Sequence, residues 1–109
     1  MSLERFISRR AEEDITRQYQ WYLENADEDV AERYLSAVHE TILRIAARPD
    51  LGQRRRFAAP ELEGIRSIQV WSPFDRHLVF YGAGDTLRVE RVMHGARDLD
   101  RRLLGEPKG

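Results

Sequence analysis

The chain of 109 residues has no cysteine and only one lysine, Lys108. Without cysteine there are no disulfides and no thiolate metal sites, which excludes the frameworks that brace many small secreted domains. No apolar run approaches the roughly 20 residues that a membrane-spanning helix needs. The opening Met1-Ser2-Leu3-Glu4-Arg5 leads into a strand rather than into the apolar centre of a secretion signal. The expectation is a cytoplasmic protein with no membrane partner. Nothing repeats, no segment is compositionally simple and no long linker interrupts, so residues 1–109 read as one domain with 105–109 as a frayed tail. With 41% hydrophobic and 34% charged residues, the chain can build one modest core under a well-solvated surface.

Arginine supplies almost all of the positive charge. A GC-rich genome accounts for arginine in place of lysine, but not for where it falls. Residues 1–50 hold seven arginines against eleven Asp and Glu, a balance of −4, whereas residues 51–109 hold eleven Arg and Lys against eight acids, a balance of +3. Guanidinium groups suit phosphate and carboxylate partners, so the second half is the half fitted to an acidic partner.

Periodicity places the elements. Phe6-Ile7 closes a short first strand, and Ser8 is a suitable helix N-cap. Ala11, Ile15, Tyr19, Tyr22, Leu23 and Ala26 then recur on one helical face. A second helix starts at Asp27-Glu28-Asp29, where negative charge suits the helix dipole. Its apolar face runs from Val30 through Tyr34, Val38, Ile42 and Ile45, and Pro49 stops it. So short a connection implies an antiparallel helical hairpin. Residues 51–64 carry loop signals. Three strand-like runs follow, Ile65–Trp71, His77–Tyr81 and Thr86–Met93, joined by turns at 72–75 and 82–85. The alternation of Leu87 and Val89 with Arg88 and Glu90 breaks at Arg91-Val92, which predicts a β-bulge there. Leu99, Leu103 and Leu104 suggest a short closing helix. The expected fold is α+β: order β-α-α-β-β-β, a helical hairpin on one face of a small, mainly antiparallel sheet. The other sheet face is expected to be open and lined partly by arginines. Trp71 is expected in the core.

Four segments carry a resemblance. They are Ala47-Arg48-Pro49-Asp50-Leu51-Gly52, Glu63-Gly64-Ile65-Arg66-Ser67, His77-Leu78-Val79-Phe80-Tyr81 and Arg91-Val92-Met93-His94-Gly95-Ala96-Arg97-Asp98-Leu99. In this order and spacing, from about Phe6 to Leu104, they resemble the RelE/ParE toxin superfamily. The His-Gly-Ala-Arg-Asp ending is closer to the ParE branch. The resemblance implies the toxin of a type II toxin–antitoxin pair, with a fold like that of RelE and ParE. RelE-like members cut mRNA on the ribosome without a metal. ParE-like members inhibit DNA gyrase by protein contact. Both are held inactive by an antitoxin, here expected to be ParD-like, and operator DNA is reached only through that antitoxin. No cofactor and no metal are implied.

Under the gyrase reading there is no catalytic residue. Under the nuclease reading, phosphate falls to arginines such as Arg66, Arg76, Arg88 and Arg91, and proton transfer to His94 or His77. The set favoured for that reading is Arg66, Arg91 and His94. Against it, no lysine stands near these positions, and Glu90 and Asp75 are interleaved. Contact with the antitoxin or the target falls to Trp21, Arg54, Arg55, Arg56, Arg66, His77 and Arg97. Trp21 lies off the main apolar stripe, where a large aromatic can anchor a partner. A third reading is a fold relative that binds an antitoxin without being toxic.

Overall fold

The computed structural model describes residues 2–95, without the side chain of Glu61. The expected closing helix, the 105–109 tail and Arg97 lie outside those residues. Within them the order is β1 (Glu4–Ile7), α1 (Arg9–Asn25), α2 (Glu28–Ala47), β2 (Gln53–Arg54), β3 (Arg66–Gln69), β4 (His77–Ala83) and β5 (Thr86–His94). Single 3-10 turns stand at Pro49–Leu51 and Pro60–Leu62. The two-residue β2 was not expected.

The five strands lie in the order β1-β5-β4-β3-β2. Only β1 runs parallel to its neighbour, β5; the other pairs are antiparallel. Local chemistry sets the helix ends. The Ser8 side chain accepts from the Ala11 amide to start α1, and Asp27 accepts from the Val30 amide to start α2. Pro49 ends the second helix as expected and opens the 3-10 turn.

The main core lies between the hairpin and the sheet. Tyr34, Val38, Ile42 and Ile45 of α2 meet Val79, Tyr81, Leu87, Val89 and Val92. Val89 and Val92 both enter this core although they are three apart, which an unbroken strand forbids. The bulge that allows it leaves Glu90 between the register pairs Tyr81–Val89 and Phe80–Arg91, one residue earlier than expected.

The far face of the sheet is not open as expected. Ile65, Phe80 and Met93 form a second small core there, covered by Phe57 and Leu62 from the 55–64 loop. The reason is apolar content: a loop with two large hydrophobics covers sheet rather than solvent. Trp71 also departs from expectation, since it is 53% exposed. Strand β3 stops before it, and Phe74 fills the core position instead, edge-on to Tyr22 and Tyr34. Trp71 lies under the Arg44 guanidinium, 4.8 Å from it.

The Pro49–Gly52 corner is pinned to the sheet by one phenol. The Tyr81 hydroxyl donates to the Pro49 carbonyl at 2.7 Å and accepts from the Gly52 amide at 2.8 Å. A Cβ on Gly52 would lie 2.4 Å from that hydroxyl and 2.9 Å from the Ser67 carbonyl oxygen. Glycine is needed there for space, not for an unusual backbone angle: φ is −72°.

Candidate functional site

Strand β1 ends at Ile7, opposite Val89, so beyond Val89 no strand of the described residues covers that edge of β5. Helix α1 covers it. The Ser8 amide donates to the Val89 carbonyl, and the Ser8 hydroxyl donates to the Glu90 carbonyl at 2.8 Å. The Asp14 carboxylate accepts from the Val92 amide at 3.0 Å. The Gln18 side chain donates to the Val92 carbonyl at 3.0 Å and accepts from the Tyr34 hydroxyl. Polar residues of α1 thus satisfy backbone groups that an exposed edge leaves unpaired.

Asp14 also holds Arg91. The guanidinium reaches both carboxylate oxygens, Nε at 2.8 Å and Nη2 at 2.9 Å, and the two side chains are 9% and 4% exposed. Arg17 adds a third cationic contact at 3.1 Å from the surface side.

Next to this ion cluster a cavity of about 530 Å³ opens between α1 and the ends of β4 and β5. Arg17, Trp21 and Tyr22 line it from the helix, Arg76 and His77 from the start of β4, and Met93 and His94 from the end of β5. His77 and His94 face each other across the strand pair, with ring centroids 4.9 Å apart. His77 is buried. Its Nε2 shares a 2.9 Å hydrogen bond with the Tyr22 hydroxyl, while its Nδ1 is buried with no partner among the described residues. Burial, and after it the charge of His94, hold the His77 imidazole down to about 4. It is therefore neutral at physiological pH. Burial pushes the Tyr22 phenol up. No cluster of His, Asp and Glu suited to a metal occurs among the described residues.

A family model described as the ParE toxin of the type II toxin–antitoxin system parDE matches residues 6–99. The chain belongs to the ParE toxin family. A solved structure described as "Chromosomal ParDE TA system from P. aeruginosa" superimposes with a TM-score of 0.70 at 14% identity, covering 87% of this chain and 98% of that chain. At that identity the likeness bears on the fold alone. No curated protein sequence matches the chain.

In this ParE-family fold the candidates from sequence separate into two groups. Some are tied up internally. Arg91 is held by Asp14. Arg66 donates to the Gly52 carbonyl at 2.8 Å. Arg55 bonds the Ser67 hydroxyl and lies 5.8 Å from the Phe80 ring centroid. Arg88 pairs with Glu90 at 3.3 Å while staying exposed. Others are presented outward: Arg54, Arg56, Arg76 and His94 are exposed, and Trp21 is 57% exposed. The structure does not bring Arg66, Arg91 and His94 together. Arg66 pairs with Tyr81, four residues along β4 from the His77 level of His94, about 13 Å at roughly 3.3 Å per residue. Sequence reasoning missed Asp14, Gln18 and Tyr22. The available signal was that Asp14, Gln18 and Trp21 fall at i, i+4 and i+7, a second stripe beside the apolar one.

Among the described residues no helix is long and apolar enough to cross a membrane.

Proposed function

We propose that the chain is the toxin of its pair, that it inhibits DNA gyrase by direct protein contact, and that a ParD-like antitoxin neutralises it. Family membership supplies the toxin–antitoxin frame. The choice of target rests on the dispersal of the set favoured for cleavage, Arg66, Arg91 and His94, although Arg76, His77 and His94 share one cavity. Metal-free cleavage needs a base, an acid and phosphate-holding cations converging on one atom. Here Arg91 is held by a buried carboxylate and Arg66 sits on a loop carbonyl some distance along the sheet from His94.

Antitoxin binding falls to Trp21 and to Arg54 and Arg56, which are exposed. Trp21 is braced edge-on by Tyr22, with ring centroids 5.3 Å apart, which suits a rigid anchor. An acidic antitoxin segment matches the exposed arginines and associates faster at low salt. Operator DNA is read by the antitoxin and not by this chain.

The test is supercoiling by purified gyrase with excess toxin, with and without antitoxin. The reading expects supercoiling to be blocked by toxin and restored by antitoxin. Normal supercoiling at saturating toxin, together with protein synthesis falling before DNA synthesis after induction, would overturn it in favour of the ribosome.

A further inference from the structure

We propose that the cavity beside Trp21 is a nucleotide site, which takes a base against the indole and its phosphate between Arg17, Arg76 and His94. This goes beyond the gyrase reading and does not depend on it.

The inference comes from the hydrogen-bonding capacity the cavity has left. The Asp14 carboxylate already accepts from Arg91, Arg17 and the Val92 amide. The Gln18 carbonyl oxygen already accepts from Tyr34. Tyr22 and the Nε2 of His77 satisfy each other. Arg17 has given one contact, to Asp14, and is 58% exposed, so most of its five N–H groups remain. The Arg76 side chain has no partner among the described residues, and its backbone is fixed by the Gly95 amide, which donates to the Arg76 carbonyl. His94 makes ring contact with His77 and keeps its ring nitrogens. The free N–H groups of Arg17 and Arg76 outnumber the acceptors left, chiefly the Tyr22 oxygen and the His77 Nδ1, unpartnered among the described residues, so a ligand that satisfies the cavity must be rich in acceptors and negatively charged.

Two permanent cations and an imidazole match a phosphate monoester, with its double charge and three oxygens, better than a carboxylate. The second feature is the indole. Trp21 is exposed over more than half of its surface and borders the same cavity, with Val92 and Met93 as further apolar lining. An aromatic face beside cations is the arrangement that stacks a base while holding its phosphate. The volume, about 530 Å³, falls within the roughly 300–1,000 Å³ common for small-ligand sites. The same chemistry occurs in a free mononucleotide and in the phosphorylated end of a single strand.

The chain has two tryptophans, so a Trp71→Phe background leaves Trp21 as the sole reporter. In that background its fluorescence is titrated with adenosine 5′-monophosphate, with adenosine and with a short single-stranded oligonucleotide carrying a 5′-phosphate. Side-chain NMR shifts of His94 and Gln18 are followed in parallel. Saturable quenching by the monophosphate is expected, with adenosine at least tenfold weaker and Arg76→Glu lowering affinity by tenfold or more. Arg76 is exposed, so an unchanged denaturation midpoint confirms that this variant folds. Tighter binding of the oligonucleotide identifies a nucleic-acid end as the source, and equal or tighter binding of the mononucleotide identifies the free nucleotide. No saturable response of Trp21 or His94 at millimolar ligand, equal binding of adenosine and its monophosphate, or indifference to Arg76→Glu each overturns the proposal. Gyrase inhibition is measured separately, so failure of this site leaves that reading standing.

Discussion

Removing the Asp14 carboxylate should be one of the costliest single changes in the fold. It accepts from Arg91 twice, from Arg17 once and from the Val92 amide once, and its side chain is 4% exposed. Asp14→Ala takes the counter-charge from a guanidinium that is itself 9% exposed, and it strips the Val92 amide of its acceptor. Breaking one side of a buried pair costs about 3–5 kcal/mol, a large share of the roughly 5–15 kcal/mol that holds a domain together. Most of that cost is the buried guanidinium losing its bidentate carboxylate, not the net value of the pair. Replacing both partners by apolar groups, Asp14→Leu with Arg91→Met, should therefore cost less than Asp14→Ala alone, within about 2 kcal/mol of wild type, the remainder reflecting the Val92 amide. Arg17→Ala should cost no more than about 1 kcal/mol, because that partner is exposed. Urea denaturation followed by circular dichroism measures all four proteins, compared at constant slope. An Asp14→Ala cost below about 1 kcal/mol, or a double variant less stable than Asp14→Ala, would refute the reasoning.

Gly52→Ala forces a Cβ to 2.4 Å from the Tyr81 hydroxyl and 2.9 Å from backbone, and should cost about 1–3 kcal/mol. Gly82→Ala comes too close only to the end of the Arg88 side chain, at 2.6 Å, and meets Ile65 in ordinary contact at 3.8 Å; that end can swing away, so its midpoint should move by less than about 0.5 kcal/mol, and equal costs for the two would contradict the packing described. Ser8→Ala removes both the cap of α1 and the donor to the Glu90 carbonyl, and should lower stability by about 1–2 kcal/mol; a midpoint equal to wild type would show the cap to be idle. The pH profile should report His77. Its folded-state value of about 4 lies below the 6.5 of a free imidazole, so the unfolded chain binds the proton first. Stability is then whole above about pH 7 and is lost between pH 6.5 and 4, by at most roughly 3 kcal/mol. His77→Phe should flatten that part of the profile, and an unchanged slope would assign it to other groups.

What was legible in the sequence was what local chemistry decides. Ser8, Asp27 and Pro49 mark helix ends through bonds to residues at most four positions away, so their types alone announce them. The apolar stripes of both helices, and the alternation in Thr86–Met93, gave the layers. The Asp14–Arg91 pair was not legible, because its members are 77 residues apart: Asp14 alone reads as surface charge and Arg91 as a cation for phosphate. Arg66 and Arg76 look alike in sequence, yet one is bonded to a loop carbonyl and the other faces a cavity. The tertiary fold assigns those roles. Trp71 misled because hydrophobicity says that a side chain wants cover, not which neighbour reaches it first; Phe74 did.

The candidate site is a consequence of how the sheet ends on one side. Because β1 stops at Ile7, β5 continues past its parallel partner and exposes backbone groups from Val89 onward. The N-cap Ser8 answers at Glu90, and Asp14 and Gln18, along one line of α1, answer at Val92. Such a line is out of place on a helix that simply buries an apolar face, and the edge of β5 explains it. Trp21 is the next residue on that line, but the bonds between helix and strand given above stop at Val92, while β5 runs on to His94. Helix α1 and β5 are therefore bonded up to Gln18 only; beyond it α1 reaches the sheet through the bond of Tyr22 to His77 of β4, and there the cavity opens. The same feature leaves an indole, two guanidiniums and a histidine around a space that the described residues do not fill.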